Sequence, residues 1–386
     1  MSTGRWATSI GAVAESWWLG EQAPPLRSAR LDDPVDVAIV GAGVTGCSCA
    51  LALARGGLRV RVYEARTVAS GASGRNGGFA LRGGAPSYDK ARARLGVERA
   101  RLLWAFTERA LARMAELAGD AFRPEGSLRL AADAVERSEL EAEFAALRED
   151  GFAAEWLDEL PEPLEGRFLG AIRHPDDGAL QPARWVRRLA AHAAAAGAEI
   201  REHSRVEDVD ELSAERVVVA TDGYGGDLMP ELAQVVTAVR GQVIVTEPLA
   251  ERLFPCPHYS RGGYDYWHQP PDLRLVLGGR RDTDLDAEFT ADEATTPQIQ
   301  SALESFAREL VGFEPAVEAR WAGIWGRTAD EYPLVGALPG QDRVWVATGY
   351  SGHGNVLGFA CGELVAKALL GDPRPELDLF DPSRLL

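Results

Sequence analysis

The sequence predicts an α/β protein with a doubly wound parallel sheet, assembled from separated segments and interrupted by a beta-rich α+β insert. Three observations predict it. A buried strand, a glycine-rich turn and a helix follow one another between residues 35 and 55. The same succession returns between residues 344 and 370. Between them, residues 235–325 change to short beta-rich runs with turn residues at their ends. At 386 residues the chain is long enough for two domains, each with its own core.

Taken in order, VDVAIV (Val35–Val40) is a continuous apolar run, the mark of a strand covered on both faces. Val44–Arg55 reads as a helix stopped by Gly56 and Gly57. Residues 58–64 (LRVRVYE) alternate and predict the next strand. Residues 89–118 and 134–150 have amphipathic helical spacing around a short strand at 127–131. A strong helix at 184–196 is followed by Gly197 and strands at Glu199–Arg201 and 216–220. The runs QVIVTE, YDYWH, LRLVLGG and VEARWAG make up the beta-rich insert, with one helix near 298–311. A last apolar strand, 344–348, passes through the turn 349–354 into a helix that ends at Leu370. Residues 35–85, 170–228 and 340–386 are therefore expected in the parallel-sheet domain, and 86–169 and 229–339 in the insert. Residues 1–34 read as a leader packed on the body, because Trp17 and Trp18 are large to leave in water.

Composition excludes several classes. The apolar and charged fractions, 46% and 26%, are those of a globular protein. A formal net charge of −17 repels nucleic acid and anionic membranes. No run approaches the roughly 18 consecutive apolar residues of a membrane span. The start lacks a signal-peptide pattern, so a cytoplasmic location is expected. Cys47, Cys49, Cys256 and Cys361 show no Cys-x-x-Cys spacing and no nearby histidine pair, so neither a disulfide framework nor a metal site is expected.

Three segments carry chemistry. Gly41-Ala42-Gly43-Val44-Thr45-Gly46 is a G-x-G-x-x-G between a strand and a helix. Gly41 permits the tight turn, Gly43 removes the Cβ that would block a pyrophosphate, and Gly46 lets helix and strand approach. The free N–H groups and partial positive charge of the helix start face the phosphates. Glu64 closes the next strand eighteen residues after Gly46, where it can accept from ribose hydroxyls. This motif alone leaves FAD and NAD both open. The second segment, after Ala65 and Arg66, is SGASGRNGGF (70–79), with four glycines in ten residues. Such a chain can lay backbone N–H groups along a flat polar ligand; Ala72, Ser73, Arg75, Asn76, Gly77 and Gly78 are the candidates. The third is the turn with Gly349, Ser351, Gly352, His353, Gly354 and Asn355, which opens the last helix toward an electron-rich ligand such as a reduced flavin. An NAD dehydrogenase would use the first segment and leave the other two unexplained.

In this order the segments resemble the D-amino-acid oxidase and glycine oxidase family of FAD proteins, over nearly the whole chain. SGRNGG (73–78) with the Trp17-Trp18 leader looks most like the gamma-glutamylputrescine oxidase branch. The resemblance implies a Rossmann-like FAD domain of the glutathione-reductase type. It adds Val206, whose backbone would meet the adenine, and Ala220, Thr221 and Gly223 of the ATDG stretch. It implies oxidation of a neutral amine by hydride transfer to flavin N5. The imine is hydrolysed to an aldehyde or keto acid, and electrons pass to oxygen, giving peroxide, or to another acceptor. Tyr266, His268, Trp325 and His353 are the pocket candidates, with Tyr264 beside them; for each ring of the insert, core packing is an equally open reading. Three departures bear on chemistry. The stretch GIWGRT (323–328) has no cysteine where some relatives bond their flavin, which implies noncovalent FAD. Trp325 stands near the carboxylate-gripping arginine of relatives that act on free amino acids, although Arg327 or Arg280 could supply that charge. The strand at 273–278 lacks the lysine that activates oxygen in monomeric sarcosine oxidases, which puts fast reaction with oxygen in doubt. An amine without an α-carboxylate is thus the expected substrate. The competing readings are an oxidase or dehydrogenase of free amino acids (glycine, proline, sarcosine or D-amino acids) and a flavoprotein without catalysis. The oligomeric state is left open.

Overall fold

A computed structural model describes residues 13–23 and 25–386 of the chain. Its first sheet has six strands, in the order Leu334–Leu338, Gln341–Thr348, Ala214–Val219, Val35–Val40, Val60–Tyr63, Glu199–Arg201. Neighbours run parallel except at the edge strand Leu334–Leu338. Along Val35–Val40 only Asp36 escapes full burial, and its carboxylate accepts the N–H of Arg59 at 2.6 Å. The apolar run is continuous because both faces are covered. Val37 and Ile39 pack under the helices Val44–Arg55, Pro182–Ala195 and Val356–Leu369, while Ala38 and Val40 join Met229 and Leu232 on the opposite face. Helices Val44–Arg55 and Val356–Leu369 touch backbone to backbone: a Cβ on Gly362 would lie 2.3 Å from the Thr45 carbonyl oxygen.

The second sheet is mixed and has eight strands, from Val317–Arg327 and Thr237–Thr246 through Val276–Gly279, Asp265–His268, His258–Ser260, Ser127–Leu130 and Ala171–His174 to Glu155–Leu157. The helix Pro297–Val311 lays Ile299, Leu303, Phe306 and Leu310 on it, the three-and-four spacing of one helical face. A small third sheet, Phe79–Ala80, Gly178–Leu180 and Phe122–Arg123, ties the segments together.

The structure differs from the sequence expectations in particular places. The pattern at 89–118 is two helices, Tyr88–Leu95 and Val97–Ala118, because Gly96 between them adopts φ +80°. Ala171–His174, expected in the parallel-sheet domain, pairs with Ser127–Leu130 and Glu155–Leu157 in the eight-stranded sheet. Leu334–Leu338, expected in the insert, pairs with Gln341–Thr348 in the six-stranded sheet. Both strands are short, and their partners are chosen by tertiary packing rather than by local pattern. Residues 1–12 and 24 of the expected leader lie outside the described residues. Of the rest, Trp17–Gly20 forms a short 3-10 turn, and Trp18 is 2% exposed with its Nε1–H donated to the Asn76 carbonyl at 2.9 Å. Among the described residues no helix is long and apolar enough to cross a membrane, and no cluster of side chains could hold a metal ion.

Candidate functional site

A cleft of about 1050 Å³ opens at the ends of the parallel strands and continues under the eight-stranded sheet. Its inner end is a backbone structure. Gly41 takes φ +105°, and a Cβ there would meet the Ala220 carbonyl oxygen at 2.6 Å. A Cβ on Gly46 would stand 1.9 Å from the Gly41 carbonyl oxygen, and one on Gly43 would stand 2.9 Å from Ser73 Oγ. The cradle therefore exists only without those atoms, as a pyrophosphate at a helix start requires. Glu64 closes it from the side: one oxygen accepts the Ala42 N–H at 2.9 Å and the other the Arg66 N–H at 2.8 Å. Each oxygen keeps a lone pair for a ribose hydroxyl.

The glycine-rich loop 70–78 is anchored at many points. Asn76 and Asn355 exchange side-chain amide hydrogen bonds at 3.1 Å in both directions, and Asn355 also donates to the Phe79 carbonyl at 2.7 Å. This pair joins the second and third segments across 279 residues. Arg75 is buried. Its Nε donates to the Ser70 carbonyl at 2.8 Å, and its terminal nitrogen reaches the carbonyls of Ala14 and Ala322 at 2.8 and 3.0 Å. Arg75 thus braces leader, loop and strand, and burial holds its pKa below the ordinary value.

Most of the cofactor candidates line this cleft: Gly41, Gly43, Val44, Thr45, Glu64, Ala65, Arg66, Ala72, Ser73, Arg75, Asn76, Gly77, Val206, Ala220, Thr221, Gly223, Ser351, Gly352, His353, Gly354 and Asn355. Ala42, Gly46, Gly78 and Gly349 lie behind its wall. Ala42 is fully buried, Gly46 backs onto Gly41, Gly78 onto Leu180 and Gly349 onto Thr328.

At the outer end the pocket candidates separate. Tyr266, Trp325 and His353 line the cleft. The Tyr266 ring lies against two glycines, since a Cβ on Gly77 would meet it at 2.8 Å and one on Gly278 at 2.4 Å. Burial pushes the Tyr266 phenol up to about 12. Burial likewise pushes His353 down to about 4, partly offset by its bond to the Ser351 carbonyl. His268 is a correction. It shares a strand face with Tyr266 but is not on the wall: Trp18 of the leader stacks over it at 5.9 Å and 11°, and Phe79, which does line the cleft, packs edge-on against it at 5.6 Å. Its side chain is 1% exposed, and burial, with the charge of Arg123 alongside, pushes it down to about 3. Tyr264 is also off the wall. Arg280 turns away to Asp265 at 2.8 Å and over the Phe306 ring, and Arg327 is exposed outside the cleft.

Lining residues missed from sequence include three that carry charge. Arg281 lies on the wall over the rings of Tyr264 and Trp325. Asp222, half-buried at φ +47°, accepts the Gly349 N–H at 2.9 Å and the Gly326 N–H at 3.1 Å. Glu293 comes from the insert and takes a bidentate contact from Arg66 at 2.9–3.1 Å and the Tyr224 hydroxyl at 2.5 Å. Burial alone would raise the Glu293 carboxyl, but those bonds and the nearby Arg75 hold it below the ordinary range. Nothing in a local pattern distinguishes these charges from solvated ones; Asp222 alone had a signal, its place inside ATDG.

Comparison with known proteins gives a consistent assignment. The family described as DAO, FAD dependent oxidoreductase, matches residues 36–368. The chain is 30% identical over 371 residues to the gamma-glutamylputrescine oxidoreductase of Escherichia coli (strain K12), covering 87% of this chain and 84% of the relative. It is 28% identical over 366 residues to a glycine oxidase of Bacillus licheniformis, covering 88% and 94%. Among solved structures, the glycine oxidase from Geobacillus kaustophilus superposes with a TM-score of 0.76 at 24% identity, covering 92% of this chain and 100% of that one. The L-proline dehydrogenase from P. horikoshii gives 0.76 at 20% identity, covering 92% and 98%. At these identities the superpositions establish the fold.

Proposed function

The chain belongs to the DAO family of FAD-dependent oxidoreductases, and we propose that it uses noncovalently held FAD to oxidise the C–N bond of a small amine lacking an α-carboxylate. One observation carries the reading: a single cleft runs unbroken from the glycine cradle to the end lined by Tyr266, Trp325 and His353. In the proposed assignment the cradle and Glu64 hold the diphosphate and ribose. The 70–78 loop and the 349–355 turn, joined by Asn76 and Asn355, hold the ring system. Val206 and Thr221 line the adenosine side. FAD, when bound, supplies a two-electron acceptor for the hydrogen on the carbon beside nitrogen and passes the electrons to oxygen or another acceptor. Noncovalent binding is supported by the cysteines: all four are buried, and none lines the cleft.

The residues at the outer end act by orientation and charge. Tyr266 keeps its proton and His353 stays neutral across the physiological range. Neither ring offers an ammonium group an anion, and Glu331, the carboxylate beside His353, is held by Arg94; this supports a substrate nitrogen that enters unprotonated, with its lone pair free to assist C–H cleavage. Trp325 presents a ring where a guanidinium would grip an α-carboxylate. The competing reading, oxidation of a free amino acid, is favoured by Arg281 on the same wall.

The test is a panel of amines, each matched with its α-carboxylated analogue, assayed aerobically for peroxide and again with an artificial electron acceptor. Higher kcat/KM for the amine of each pair is expected, by two or more orders of magnitude, since about 1.4 kcal/mol is tenfold. Equal or faster turnover of the amino acids would replace this substrate class with the competing one. Acid precipitation should leave yellow FAD in the supernatant; colour retained in the pellet would refute noncovalent binding.

A further inference from the structure

Behind the outer end of the cleft lies a second, much smaller cavity of about 20 Å³. Its wall includes Arg82, Trp104, Arg129, Glu143, His174 and Asp177. Two ion pairs stand in it: Arg82 Nε donates to Asp177 at 3.1 Å, and Arg129 Nη1 donates to Glu143 at 2.6 Å. These four charges cancel, and Glu108 and Asp176, which also reach Arg82, weigh against an anion. Burial, with the charges of Arg82 and Arg129 alongside, pushes His174 down to about 3, so that ring is neutral. Three nitrogens of the wall residues are nevertheless unpaired among the described residues: Arg129 Nε, Trp104 Nε1 and His174 Nδ1. Trp104 is 6% and His174 4% exposed, and their ring centres lie 6.2 Å apart. The Arg129 and Trp104 nitrogens are obligatory donors, and a buried donor without an acceptor is costly. The cavity adjoins the cleft, since Tyr259 and His353 belong to both walls. The Arg129 guanidinium carbon lies 5.3 Å from the centre of the Tyr259 ring, and its charge is felt at His353. His353 Nδ1 faces the Ser351 carbonyl at 3.5 Å, which puts the proton of the neutral ring on Nδ1 and leaves Nε2 as an acceptor.

We propose that this cavity is a site for one water molecule, held by the N–H groups of Arg129 and Trp104 and donating to His353 Nε2, and that Arg129 is through it a positioning residue for the outer end of the cleft. The size is right for one water, which needs about 10–15 Å³ and two to four polar partners. The chemistry is right as well. Water is neutral, accepts from both obligatory donors, and has two hydrogens to give, one to His353 Nε2 and one to His174 Nδ1. All four of its hydrogen-bonding positions are then used. The bond to Nε2 fixes the plane of the imidazole on the cleft wall and holds it in one tautomer. Arg129 and Trp104 line the small cavity and not the cleft, so they act on the outer end only through His353. The inference rests on the amine-oxidising reading above for calling His353 a pocket residue, and on the cavity alone for the site.

The test uses the FAD-loaded protein. A crystal structure should show an ordered water within hydrogen-bond distance of His353 Nε2 and of Arg129 Nε or Trp104 Nε1. The chain has six histidines, few enough for nitrogen NMR on histidine-labelled protein, with His353→Asn to assign the His353 signals. In the unaltered protein these should report one neutral tautomer, protonated on Nδ1. Arg129→Lys keeps a cation for Glu143 and loses the Nε donor, and Trp104→Phe keeps a ring and loses the N–H. In each the single-tautomer signature should be lost to a mixture. FAD content and unfolding temperature check folding, and whichever variant retains its FAD decides. A cavity without an ordered water, or His353 signals unmoved in a variant that retains its FAD, overturns the proposal. Absence of turnover with every amine would refute the reading of the reaction and leave this result standing, whereas a dry cavity would leave that reading untouched.

Discussion

The two ends of the cleft are built on different principles. The inner end is made of backbone, and its parts are close in sequence: Gly41, Gly43 and Gly46 lie within one turn, and Glu64 follows one helix later. Its shape depends on atoms that are missing, since a Cβ at Gly46 would fall 1.9 Å from a carbonyl oxygen. The outer end is made of side chains from segments far apart: Tyr266 and Arg281 from the middle of the chain, Trp325 from a later strand and His353 from the last turn. Its shape depends on atoms that are present, and on glycines such as Gly77 and Gly278 that clear space for one ring. A diphosphate is a common ligand and is met by a common backbone geometry. A particular substrate is met by side chains, which can be replaced one at a time.

The largest effect is expected at the inner end. Gly46→Val places two methyl groups and a Cβ where helix and turn touch, so the FAD-to-protein ratio of the purified variant should fall close to zero. Near-stoichiometric FAD in that variant would mean that the cradle can yield. Glu64→Ala removes the acceptor of two backbone N–H groups and of the proposed ribose contact. FAD binding should weaken by roughly 1.5–3 kcal/mol, read as the dissociation constant of the apoprotein titrated with FAD. An unchanged constant would show that this carboxylate does not serve the cofactor.

Two smaller effects probe how the ends are joined. Glu293→Gln keeps one acceptor and loses the charge that gathers Arg66, Arg75 and Tyr224 across the cleft. It should release FAD several-fold faster in a chase with excess competing flavin, with little change at the outer end. His268 gives the smallest effect, as a pH dependence. The unfolded chain takes up a proton near pH 6.5, whereas folded His268 does so only near 3. Between those values the unfolded state binds more protons, so stability falls as pH falls through this window. The contribution is roughly 1.4 kcal/mol between about pH 7.5 and 5.5. His268→Phe should retain the stack on Trp18 and flatten the pH dependence of the urea midpoint by that amount. An unaltered slope would mean that His268 is charged in the folded protein.

The strand Val35–Val40 and the helix Val44–Arg55 have the bounds expected from sequence, because an apolar run and a glycine stop are local signals. Helix Val97–Ala118 was merged with its neighbour, because a single glycine inside an amphipathic pattern does not reveal its φ. His268 and Tyr266 were indistinguishable by alternation; Trp18, some 250 residues away in sequence, covers one and leaves the other on the wall. Arg280 and Arg327 were the expected sources of a cation and Arg281 was not; the fold turns Arg280 to Asp265, leaves Arg327 exposed, and puts Arg281 on the cleft wall.

By itself, then, the sequence determined the parallel-sheet core, the glycine cradle with Glu64 beside it, and the resemblance that points to FAD. Each follows from hydrophobic period, missing Cβ atoms or short spacing, which act over a few residues. Tertiary structure alone decided which aromatic rings and which charges face the cleft. That choice depends on partners that meet only after folding: Asp265 for Arg280, Glu293 for Arg66 and Tyr224, and the leader's indole for His268. A side chain's direction is set by what excludes or pairs it, and for these residues the excluding and pairing groups lie far along the chain.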